Sequence, residues 1–277
     1  MSSVRQIQAI AVAIAVALLL TACSRVEFAY EYGDWFAARG IASYLDLDRA
    51  QRQDVRGKLQ AYRSVHRETR LPTMVVLMDD TSTLLKDENP DPDTVRAHFD
   101  RGMDLLTGTV EDVIPMAADT LRSLTPAQID HLETQLADGR REYAEDIAPN
   151  SAERLTERVE QWVGDLSIAQ RVELGACDAR TPDVTDQWLQ WREQRDDELT
   201  ALLRSGATQG ELETFLREWW LDSDARPEAL QQARARTRDI WLGCTRSLLA
   251  GLSSEQRDHA RNRLQGYRDD FQTLASR

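Results

Sequence analysis

One phrase recurs four times in this chain and constrains it more than any other feature: Leu, a cap-forming residue, two further residues, then Gln. It reads "LDRAQ" (47–51), "LTPAQ" (124–128), "LSIAQ" (166–170) and "LSSEQ" (252–256). The first four N–H groups of an α-helix have no partner inside it. Asp48, Thr125, Ser167 and Ser253 can each accept from one of these amides. Gln51, Gln128, Gln170 and Gln256, three residues on, can reach back to the cap N–H. That reciprocal arrangement is the capping box, with Asp48 as an acidic version. Leu47, Leu124, Leu166 and Leu252 stand where a hydrophobic staple packs, and Pro126 takes the first helical position, where its missing N–H costs nothing.

Apolar residues at helical spacing follow each start. Val55, Leu59, Tyr62 and His66 form one stripe, Ile129, Leu132, Leu136 and Tyr143 a second, and Leu264, Tyr267, Phe271 and Leu274 a third. Further starts are expected at Asp91-Pro92, Asn150, Thr181-Pro182, Thr208 with Glu211, and near Pro227, whereas "KDENPDPD" (86–93) reads as an exposed loop. Pro115 should kink or split the run from 92 to 122. Gly and Pro are sparse, at 13 and 8 of 277 residues, and no alternating β-branched run is present. The expected class is all-α: a bundle of roughly ten helices joined by short loops.

The boxes also pair across the chain. "LDRAQRQDV" and "LSIAQRVEL" share Leu, Ala, Gln, Arg, an acid and an aliphatic. "SLTPAQIDHLETQL" (123–136) and "GLSSEQRDHARNRL" (251–264) share the cap, an Asp-His dipeptide and a final Leu. The order suggests duplication, with an N-terminal helical lobe over 45–150 and a similar C-terminal lobe over 151–277.

Chemistry-bearing motifs are few. The two Asp-His dipeptides, Asp130-His131 and Asp258-His259, could form a site if a two-fold relation between the halves brought them together. Separate positions bordering core or surface are the simpler expectation. No two histidines lie one turn apart, as a zinc helix requires, and there is no phosphate loop or nucleophile elbow. No cofactor, metal or catalytic residue is assigned, and the chain is read as non-enzymatic. Asp79-Asp80 and Asp196-Asp197-Glu198 are expected to be solvated. The net charge of −13 argues against a nucleic-acid partner, which needs a dense basic surface.

The N-terminus speaks to compartment. "AIAVAIAVALLL" (9–20) is an apolar run of 12, too short to span a bilayer but right for the core of a signal peptide over 1–22. The alternative is a plain secreted protein in which Cys23 is coincidental. Residues 23–44 are expected to form a tether with an aromatic segment, "FAYEYGDWF" (28–36). Its rings either rest among lipid headgroups or dock the tether onto the helical body, the second being favoured. Trp188, Trp191, Trp219, Trp220 and Trp241 cluster later in the chain, as core or as a ligand groove. Cys177 and Cys244 form either a disulfide, which an oxidising compartment permits, or two buried thiols.

"LTAC" (20–23) resembles the lipobox of bacterial lipoproteins. That resemblance implies lipidation at Cys23, with palmitate among the acyl chains, and a stable anchor in the membrane. Ser24 implies sorting to the outer membrane, facing the periplasm. Taken with "YGDW" (32–35), "YLDLDRAQ" (44–51), "HRETRLP" (66–72) and the repeated helix starts, the chain resembles an uncharacterised family of Gram-negative lipoproteins carrying a domain of unknown function. The cap phrase alone is also similar to that of the Spy-like periplasmic chaperones. The expected function is binding or scaffolding in the cell envelope, with an envelope protein as partner. The alternatives are a periplasmic chaperone or stress-related protein, and an enzyme or metal binder built on the Asp-His pairs.

Overall fold

A computed structural model describes residues 25–147 and 151–277. The expected signal peptide (1–22), Cys23 and Ser24 lie outside the described residues. The described residues form eleven α-helices and no strand: α1 (Arg25–Tyr44), α2 (Arg49–Thr69), α3 (Leu71–Leu84), α4 (Pro92–Arg122), α5 (Pro126–Glu142), α6 (Ser151–Val163), α7 (Ile168–Arg180), α8 (Thr185–Ser205), α9 (Gln209–Trp220), α10 (Glu228–Ala250) and α11 (Ser254–Ala275). A π-helical turn, Tyr143–Ile147, continues α5.

The four capping boxes all form, with both reciprocal bonds at Asp48, Thr125, Ser167 and Ser253. A fifth forms at Thr208 with Glu211, and Asp91 caps α4 ahead of Pro92. Three expectations are corrected. Helix α8 begins at Thr185, because Thr181 caps the C-terminus of α7 in extended conformation and the Asp183 carboxylate binds the Thr185 amide. At Pro115 only the split is corrected: α4 runs through it, with Ile114 and Ala118 on either side, both wholly buried and holding each side of the missing N–H against the core. In the loop from 85 to 91, Pro90 is fully buried rather than exposed.

The stretch expected as a tether is a helix, α1, laid along α2 and α11. Its inner face carries Tyr30, Asp34 and Ala38, four residues apart, then Ile41 and Ala42, three and four residues further on. The Tyr30 hydroxyl reaches the Arg63 carbonyl at 3.3 Å and His66 Nδ1 at 3.1 Å, and Arg63 pairs with Asp34 at 3.3 Å. At the junction of α2 and α3, Arg70 grips Asp112 of α4 with two bonds, 2.7 and 2.8 Å, and donates a third to the Gly108 carbonyl. A Cβ at Gly108 would meet the Arg70 guanidinium at 2.5 Å, so glycine makes room for this planar contact.

Two apolar clusters form the core. The first draws on α1, α2, α4, α5, α8 and α9, around Val55, Ile114, Leu132, Leu212 and Leu216. The second draws on α6, α7, α10 and α11 with Leu85 beyond α3, around Leu166, Leu174, Leu252 and Leu264. Each cluster takes residues from both sides of residue 150, so the clusters are not the two sequence halves. Cys177 and Cys244 form a disulfide that ties α7 to α10.

Candidate functional site

The repeated glutamines are brought together in pairs. Gln51 and Gln128 face each other across the starts of α2 and α5: each side-chain amide donates to the other's oxygen, at 3.1 and 2.7 Å. Gln170 and Gln256 do the same across α7 and α11, at 2.9 and 3.1 Å. The second N–H of each amide goes to the carbonyl two residues before the opposite cap. Gln51 donates to Ser123, Gln128 to Asp46, Gln170 to Gly251 and Gln256 to Asp165. Each oxygen also accepts its own cap N–H. Every donor and acceptor of all four amides is therefore used.

This clasp explains why the fifth residue is Gln. Glu caps equally well and suits the positive end of the helix dipole, and the Thr208 box, which faces no partner box, has Glu211. A carboxylate has no N–H to give, so only an amide can complete the pair. The signal was present in the sequence as four glutamines where acid would serve for capping alone. Backbone geometry supports the exchange: Asp46 adopts φ 49° just ahead of the first pair, and Gly164 adopts φ 82° just ahead of the second.

The Asp-His dipeptides are not joined by any hydrogen bond or ion pair among the described residues. Asp130 pairs with Arg204 of α8 at 2.8 Å, while Asp258 reaches only Arg261, one turn on, at 3.5 Å. His131 is half-buried, its Nε2 enclosed without a partner, and His259 lies against Gly164. No three His, Cys, Asp or Glu residues converge to hold a metal among the described residues. Asp196, expected in solvent, is buried on α8 and pairs with Arg140 of α5. Burial pushes its carboxyl above the ordinary range, and Arg140 only partly offsets this.

Two surface features remain. On the outer face of α1, Phe28, Tyr32, Trp35 and Phe36 are 54%, 53%, 42% and 54% exposed. Phe28 stacks on Tyr32 with ring centres 4.6 Å apart, and Trp35 meets Phe36 edge-on at 4.9 Å. The aromatic segment is thus divided, with Tyr30 docked on the body and four rings turned outward. The tryptophans are divided too. Trp191 is buried, Trp219 and Trp241 pack against the first and second clusters, and Trp220 is exposed.

The second feature is a cleft of about 900 Å³ between the π-helical turn, the α7–α8 loop and α10, with Trp188, Arg226 and Arg234 in its lining. The family model of DUF6279, a family of unknown function, matches residues 43–221. The chain belongs to DUF6279. Comparison with curated proteins and with solved structures returns no match. The DUF6279 match spans the first glutamine pair and the Trp188 side of the cleft. Gln256, Arg226 and Arg234 lie beyond it.

Proposed function

We propose that this protein is a non-enzymatic lipoprotein, anchored through Cys23 in the outer membrane and facing the periplasm, where it binds or scaffolds an envelope protein. One observation carries the reading most: the four outward rings of α1 begin five residues after Cys23. Tyr and Trp favour the headgroup region, where an apolar ring meets a wet, polar layer. Phe28 to Phe36 covers about 12 Å of helix at the usual rise, so the stripe can rest on the surface beside the acyl chains. Because the opposite face of α1 is bonded to α2 and to Arg277 just past α11, such a contact fixes the orientation of the whole bundle.

The test is mass spectrometry of the N-terminal peptide from Gram-negative cells, together with membrane fractionation. Wild type is expected to carry acyl chains on Cys23 and to co-sediment with outer membrane, while Cys23→Ala is not. An unacylated wild-type chain in the soluble periplasm sinks the proposal. In-cell crosslinking of the anchored protein then identifies the partner.

A further inference from the structure

The cleft holds a charge problem that the fold itself leaves unsolved. Arg226, in the loop before α10, lies over the ring of Trp191 at 5.4 Å and of Trp188 at 6.0 Å. It is half-buried, its Nε is fully enclosed without a hydrogen-bond partner, and among the described residues no carboxylate forms an ion pair with its guanidinium. Arg234, exposed, lines the same cleft from two turns further along the chain and also makes no ion pair among the described residues. Burial and the neighbouring Arg234 both lower the affinity of Arg226 for its proton, and Asp222 opposes them less strongly. Arg70, Arg140, Arg204 and Arg217, by contrast, each hold a carboxylate.

The surroundings narrow what could neutralise Arg226 and Arg234. The indoles hold the Arg226 plane in place, which suits two-bond recognition of a planar oxyanion. Asp178, Asp183 and Asp186 also line the cleft and disfavour a multiply charged phosphate. Tyr143, Leu230 and the Thr181 and Thr237 side chains offer apolar surface and hydroxyls for an organic body. The volume is of the size that binds small organic molecules and peptides.

We infer that this cleft binds an organic carboxylate, with the acid group on Arg226 and Arg234 and the rest of the ligand along Trp188 and Tyr143. The site stands apart from the α1 face and from lipidation, so it is tested in detergent solution whatever the fate of the anchor. Tryptophan fluorescence of the full chain is titrated with a panel of acetylated tripeptides carrying a free C-terminal carboxylate, with the same peptides as C-terminal amides, with benzoate, and with inorganic phosphate. Saturable quenching is expected from the free acids, at least tenfold weaker from the amides. Arg234→Gln, on an exposed position, should weaken binding at least tenfold without lowering the melting temperature. Arg226→Gln should abolish it. Binding of the peptides but not benzoate identifies a peptide C-terminus as the source of the acid, and the reverse identifies a small aromatic acid. Equal binding of acids and amides, tighter binding of phosphate than of any carboxylate, unchanged affinity in Arg234→Gln, or no response to any acid overturns the inference.

Discussion

The two glutamine clasps are built alike and supported differently. In each, two cap residues, two staple leucines and one amide pair occupy equivalent places, and Leu136 and Leu264 are buried at the same offset. They diverge one residue after the second Gln. There the first clasp has Ile129, buried in the apolar core, and the second has Arg257, equally buried. Arg257 donates to the carbonyls of Leu85 and Asp87, at 2.9 Å each, and to that of Leu249. It thus satisfies chain ends beyond α3 and in the last turn of α10 that water would otherwise reach. The second clasp also has the Cys177–Cys244 bond, for which the first has no counterpart among the described residues. A shared hydrogen-bonded hinge can therefore stand on apolar packing, or on a buried cation and a covalent tie.

The largest test of this difference is the covalent one. Replacing both cysteines by serine releases a loop with a separation of 67 residues, and the chain-entropy relation puts the loss at roughly 4 kcal/mol. Urea unfolding of the oxidised, reduced and doubly substituted proteins should show it, with the last two alike. A reduced protein as stable as the oxidised one would show that the second cluster does not depend on its tie.

Next is the divergent position. Arg257→Met should cost about 3 kcal/mol, since the buried Leu85 carbonyl and the partly buried Asp87 and Leu249 carbonyls lose their donor. Ile129→Met should cost less than about 1.5 kcal/mol, a near volume-conserving change in an apolar site. If the two substitutions shift the denaturation midpoint equally, the proposed difference in support fails.

The clasp itself ranks third. Gln128→Glu and Gln170→Glu keep the capping oxygen and remove both N–H donors, and each should cost about 2 kcal/mol. Glu211→Gln at the unpaired Thr208 box should change stability by less than about 0.5 kcal/mol. A double-mutant cycle on Gln51 and Gln128 should give a coupling above about 0.5 kcal/mol, and additive losses would show that the two amides act separately.

These expectations also mark what could be read in advance. The helix class and the capped starts were legible because capping is local chemistry, written within four residues. The pairing of the glutamines was half-written, in the choice of amide over acid. The exchange of helices between clusters was not, because Leu212 and Leu216 of α9 satisfy the same periodicity whichever core they enter. Nor was α1, where Gly33 and Gly40 weaken the helix signal and docking on α2 supplies what propensity lacks. Arg226 gave no sign at all: an arginine among Asp, Ser and Pro reads as a solvated loop until the indoles are seen beneath it.

The smallest expected effect separates α1 from the rest of the bundle. His66 bonds the Tyr30 hydroxyl and is half-buried, and burial first, then the adjacent Arg70 guanidinium, lowers its pKa; Asp112 opposes both. Arg67 of the same helix lies over the Tyr30 ring, adding a further cation to that side. The unfolded chain therefore takes up a proton at His66 more readily than the folded one. Stability from the neutral ring is complete above the ordinary histidine value of about 6.5. It is lost as pH falls through that value toward the lower folded one. As pH falls from 7.5 to 5.5, the protection of α1 amides relative to their intrinsic exchange rates should drop, while that of α9 amides, far from any histidine in sequence, should not follow. His66→Gln should flatten the response in α1. His98 is lowered in the same way, by burial and Arg101, and its Nε2 lies 2.6 Å from the Thr81 hydroxyl, so it loosens α3 against α4 instead. Exchange in α1 that stays pH-dependent in His66→Gln but not in a His98→Gln variant would move the control of α1 away from its own interface.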